Sequence, residues 1–189
     1  MKRLTLPFLL LALVPAAPLF AQEHMHEMAG EHEHMEGHDA AVKAIAPLHE
    51  MVKGYLIASA EQMPEKLYSY RPNDEVRTFG QIIGHVANAQ YMFCGNATGE
   101  GTRPPENFEE RTTKAGLVEA IKMGFAACDA AYAMDDMKAM EEVEFFGNTG
   151  TRLWILNFNA THNWEHYGNL VVYFRANGMV PPSSQGGGM

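Results

Sequence analysis

The chain has 189 residues, with 14 Lys plus Arg against 23 Asp plus Glu for a net charge of −9, nine histidines and two cysteines. That acidity argues against nucleic acid as a partner, because phosphate binding calls for a basic surface. Two cysteines cannot build a cysteine-based zinc knot, although they can pair once in an oxidising compartment.

Lys2 and Arg3 precede an apolar run from Leu4 to Val14 and a stretch of small residues ending in Phe20-Ala21-Gln22. This is the pattern of a secretory signal peptide over residues 1–21, with cleavage expected after Ala21 and a periplasmic or secreted product. The run is shorter than the roughly 20 apolar residues of a membrane span, and nothing later reaches that length, so no membrane association is expected after cleavage. Losing Lys2 and Arg3 leaves 12 basic against 23 acidic residues, a net charge of −11. Residues 22–40 hold five histidines, three methionines, six acids and no basic residue, without apolar periodicity. They are expected to be a disordered His/Met/Glu-rich tail, either scavenging metal through imidazole and thioether groups or serving as a solvated acidic linker.

Residues 41–189 are expected to form one domain. The first predicted helix runs from about Val42 to Met63, with Val42, Ile45, His49, Val52, Leu56 and Met63 at three- and four-residue steps. Pro64 stops it, and Pro47 either kinks it or marks its first turn. The second starts at Thr78, where Thr78 and Gln81 spell a T-x-x-Q capping box, and continues to Cys94. The third starts near Thr113 and carries Leu117, Ile121, Phe125, Cys128 and Tyr132; the fourth runs from near Thr151 to Asn177-Gly178, before Pro181-Pro182. No segment sustains period-two alternation. The expected fold is therefore all-α, a four-helix bundle whose long second connection, from Cys94 to Thr113, leaves helices two and three parallel.

His162 and His166, four residues apart, share one helix face. If helices two and four are antiparallel, His85 lies nine residues from the end of helix two and His162 eleven from the start of helix four, a mismatch of about 3 Å. Burying three imidazoles in one layer is unfavourable unless something pairs with them, and a divalent metal ion does so. His85, His162 and His166 are the expected ligands. Imidazole suits zinc, nickel, copper and iron alike. The same arithmetic leaves His49 about 10 Å out of level, so it is read as a packed core histidine. Tyr55, Asn88 and Asn169 lie near the site by helical position, with core packing as their plainer role. No residue is singled out as a catalytic acid or base.

Gly84-His85-Val86-Ala87-Asn88-Ala89-Gln90 and His162-Asn163-Trp164-Glu165-His166-Tyr167-Gly168-Asn169-Leu170, with Tyr173 and Pro181-Pro182-Ser183, resemble the DinB superfamily over roughly residues 42–185. The resemblance implies an up-down-down-up bundle, a three-histidine site for nickel, zinc or a similar ion, and a homodimer as a frequent assembly. It also implies an unknown small-molecule substrate, since members with known reactions include transferases and isomerases that use low-molecular-weight thiols. The expected function is a metal-dependent hydrolase or thiol-dependent transferase, with a non-enzymatic periplasmic metal carrier as the alternative. The same five residues spell the H-x-x-E-H of inverzincin peptidases, but that site requires a downstream acid and none follows Glu165.

Cys94 and Cys128 lie at nearly equal heights if helices two and three are parallel and start level. A disulfide between them is expected, with two small buried apolar residues as the alternative.

Overall fold

Threonines open three of the long helices, and the chain's breaks follow its Pro and Gly residues. A computed structural model describes residues 40–186. The signal peptide expected over 1–21 and all but the last residue of the tail expected over 22–40 lie outside the described residues. Four longer helices are present: α1 (Ala40–Gln62), α2 (Phe79–Thr98), α3 (Lys114–Ala126) and α6 (Arg152–Ala176). Two one-turn helices, α4 (Asp129–Tyr132) and α5 (Asp136–Ala139), and a hairpin of β1 (Glu142–Phe145) and β2 (Asn148–Thr151) fill the span between α3 and α6.

The capping box at Thr78 forms in full: Thr78 Oγ1 accepts from Gln81 N, and Gln81 Oε1 accepts from Thr78 N. It fixes the phase of α2, so His85 falls two turns in. The helix runs on past Cys94 to Thr98 and ends in a left-handed Gly99. Thr113 and Thr151 cap α3 and α6 in the same manner, accepting from Gly116 N and Trp154 N. Asp136 closes the start of α1 instead, its carboxylate accepting from the main-chain N–H of Ala41 and Val42. Pro47 sits inside α1, on an exposed position.

Helix α2 packs against α3 and α6, and α1 packs against the same two. Arg152, at the start of α6, donates to Ala97 O at the end of α2; Tyr173, near the end of α6, donates to Arg77 O just before α2. These contacts set the two helices side by side in opposite directions. Two apolar clusters lie along them. One gathers Leu56, Phe79, Ile83, Phe125, Leu170 and Phe174; the other gathers Phe93, Cys94, Cys128, Ile155 and Leu156. On α6, His162 and His166 fall between the two, and on α2 His85 is flanked by Ile83 and Val86 of the first.

The structure departs from expectation in the third helix and in the purely helical fold. Helix α3 ends at Ala126, where the turn tightens and Cys128 N–H reaches back to Phe125 O, so Cys128 caps the short α4 and Tyr132 ends it. The hairpin pairs Glu142 with Thr151 and Phe145 with Asn148 around a two-residue turn, Phe146-Gly147, with φ of 50° and 73°. Positive φ at both central positions matches the twist of a tight hairpin. Four-residue strands are too short to show a sustained alternation in sequence.

Candidate metal centre

His85 projects from α2, and His162 and His166 project from successive turns of α6. Their Nε2 atoms converge: His85 to His162 is 3.2 Å, and His166 to His162 is 3.1 Å. The three ligand atoms lie within 4.8 Å of one another, a group that can hold a metal ion. Nitrogens bound to one tetrahedral ion at about 2.0–2.1 Å stand about 3.3 Å apart, so the two separations from His162 are of the size such an ion sets.

The rings are prepared for this electronically. Burial, reinforced by His85, lowers the pKa of His162 from 6.5 to about 4. Burial, with His162, His85 and Arg77 adding to it, lowers His166 to about 3. Both are neutral near pH 7, with the lone pairs that a metal requires. Phe93 closes one flank, its ring centroid 5.3 Å from that of His162.

One carboxylate reaches the cluster, and sequence reasoning did not single it out. Glu109 Oε1 lies 2.9 Å from His85 Nδ1, and its Oε2 accepts from Arg77 Nε at 3.0 Å. A carboxylate on the outer nitrogen fixes a ligand histidine's tautomer and ring orientation. Glu109 belongs to a 3-10 turn (Phe108–Glu110) in the connection between α2 and α3. That turn is seated on Gly84, where an added Cβ would lie 2.4 Å from Phe108 O. Asn88 anchors it further, accepting from Phe108 N at 3.0 Å and donating to Asn107 Oδ1 at 2.7 Å. Asn88 therefore acts on the centre through Glu109. The residue type was visible in the sequence, but a loop residue has no helical height from which to place it.

Tyr55 and His49 lie elsewhere. Tyr55 stacks on Tyr167 and meets the edge of Trp164. His49 is 1 % exposed, stacked on Tyr132 with ring centroids 3.7 Å apart and edge-on to Phe125. Asn169 lines a groove of about 630 Å³ that opens beside His166 and is bordered by Val76, Arg77, Ile82 and Tyr173.

Residues 49–170, which include all three histidines and Glu109, match the sequence profile of the DinB superfamily. The chain belongs to the DinB superfamily. A DinB-like protein from Bacillus cereus superposes with a TM-score of 0.61 at 16 % identity, covering 69 % of this chain and 89 % of its own. A DinB-like protein from Bacillus subtilis superposes with a TM-score of 0.57 at 17 % identity, covering 72 % of this chain and 93 % of its own. At these identities the likeness concerns the DinB fold alone. No curated protein matches the chain.

Proposed function

We propose that this DinB protein is an exported metalloenzyme that binds one divalent ion, zinc or nickel, through His85, His162 and His166 and acts on a small molecule. The observation that carries the reading is the gathering of three imidazoles, His162 Nε2 standing 3.2 Å from His85 Nε2 and 3.1 Å from His166 Nε2, beside an open groove. When bound, an ion there supplies Lewis acidity with coordination positions left over from three protein ligands, as catalytic sites have. Glu109 holds the His85 ring in place, Phe93 shields His162, and the groove beside His166 admits the reactant. The reaction class is hydrolysis or thiol transfer to a small electrophile. Four features support an up-down-down-up bundle as the frame: the opposed ends of α2 and α6, the Cys94–Cys128 link joining the far ends of α2 and α3, the contacts of α1 with α3 and α6, and the long second connection.

Export after cleavage at Ala21 draws support from the basic and apolar leader pattern and from the disulfide, which persists in oxidising compartments. The rival reading, a periplasmic carrier, draws on the His/Met-rich segment 22–40.

Elemental analysis of the full chain tests both, beside a variant lacking residues 22–40 and a His85→Ala/His162→Ala/His166→Ala variant. About one ion per chain, kept without the tail and lost in the triple variant, is expected, and turnover of thiol and electrophile pairs is then screened. No ion, or metal that follows only the tail, sinks the three-histidine reading.

A further inference from the structure

Arg77 stands on the wall of the groove beside His166 and is held at both ends. The Tyr173 hydroxyl donates to its main-chain carbonyl at 2.5 Å, and its own Nε donates to Glu109 Oε2 at 3.0 Å. The other oxygen of Glu109 faces His85, so the guanidinium lies one carboxylate away from the histidine cluster. Its charge is felt there, since it helps to lower the pKa of both His162 and His166. Glu109 takes only Nε. Among the described residues neither Nη nitrogen has a hydrogen bond or ion pair.

The groove also offers an apolar wall. Val76 and Val172 are 39 % and 55 % exposed, and Ile82 and Tyr173 lie behind them. Its volume suits a small ligand. Glu75 and Glu165 line it too, and among the described residues neither carboxylate is tied to the histidine cluster as Arg77 is through Glu109. Arg77 is the group fixed against the centre.

We propose that the groove binds a small carboxylate with an apolar body, its carboxylate paired with the two Nη atoms of Arg77 and its body against Val76 and Val172. A planar carboxylate meets a guanidinium edge through two parallel charge-assisted bonds, which gives orientation as well as affinity. Anchored there, the ligand presents its far side to His166. The anchor stands on the groove and Arg77 alone; its role in presenting a substrate rests on the metal-centre reading above.

Benzoate is a suitable probe, with benzamide as its uncharged counterpart. Both are titrated calorimetrically into the full chain, metal-loaded and metal-free, and into Arg77→Gln, Arg77→Lys and Val172→Glu, with metal content measured on every sample. Benzoate is expected to bind about tenfold or more tightly than benzamide, with or without metal. Arg77→Gln removes that preference, Arg77→Lys restores part of it, and Val172→Glu weakens benzoate by repulsion without touching Arg77. Benzoate preference in a protein that holds no metal keeps the anchor and removes the metal reading. Absent benzoate binding, equal binding of the two probes, or a preference that survives Arg77→Gln in the metal-free protein overturns the anchor at any metal content.

Discussion

His49 shows what a buried imidazole does when no partner is supplied. Its Nδ1 is buried without a hydrogen bond, its ring lies flat on Tyr132, and burial with Lys53 nearby lowers its pKa from 6.5 to about 4 against a weaker opposing pull from Asp129. The folded protein holds it neutral. Between about pH 6.5 and about pH 4 the unfolded chain takes up a proton that the folded chain refuses, so stability is full above this window and falls as the pH drops through it. The loss from this one group approaches about 3 kcal/mol at the acid end. Denaturant titrations of wild type and His49→Phe at about pH 7 and about pH 4.5 isolate it, since His162 and His166 are common to both proteins. The variant is expected to lose about 2 kcal/mol less on acidification; parallel losses would show that His49 is not held neutral.

At the scale of elements, helices made the chain legible and loops did not. A helix turns sequence number into height at about 1.5 Å per residue. That conversion sets His85 level with His162 and Cys94 level with Cys128, and both contacts are present. It also separated His49 from the cluster. It gave no purchase on Glu109, whose place depends on a loop crossing over a helix. The hairpin escaped for a related reason: its turn uses Phe146 at positive φ, where Asn or Gly would have signalled it. Gly84 is the residue that makes the loop crossing work, because the atoms nearest an added Cβ are main-chain atoms of Phe108 and Glu109 that cannot rotate away. Gly84→Ala gains up to about 1 kcal/mol of helix propensity, yet it forces the 3-10 turn off α2. The expected net effect is a destabilisation of about 1–3 kcal/mol. Metal affinity should drop about tenfold or more, because His85 loses its carboxylate. Chelator competition and thermal melts read the two effects separately, and Glu109→Gln should reproduce the loss of affinity without the destabilisation. A Gly84→Ala protein that melts and binds as wild type would mean the turn is not seated on Gly84.

For the molecule as a whole, the question is what holds α2 and α6 in the register that lets the histidines meet. Two devices lie just beyond the cluster. Gln90, Asn159 and Asn163, all fully buried, form a closed ring in which Gln90 donates to Asn163 at 2.7 Å, Asn163 to Asn159 at 3.2 Å and Asn159 to Gln90 at 3.1 Å. Beside it, Asn159 Nδ2 lies 3.4 Å from Cys94 Sγ in the Cys94–Cys128 disulfide, which spans 34 residues of chain with a Cα–Cα distance of 5.2 Å. The two act on different states. A closed amide ring is satisfied only in one helix register, since a slip would leave buried amides unpaired at about 1–3 kcal/mol each. The disulfide ties α2 to the end of α3 and acts mainly on the unfolded chain, restricting it by about 3–4 kcal/mol on the loop-entropy account. Cys94→Ala/Cys128→Ala should therefore lower the melting temperature by about 10 °C while metal content and chelator competition stay as in wild type. Asn159→Leu should do the reverse in kind, leaving Gln90 and Asn163 short of partners and loosening metal binding even with the disulfide intact. If the cysteine variant loses its metal while still folded, the disulfide, and not the amide ring, sets the register of the histidine site.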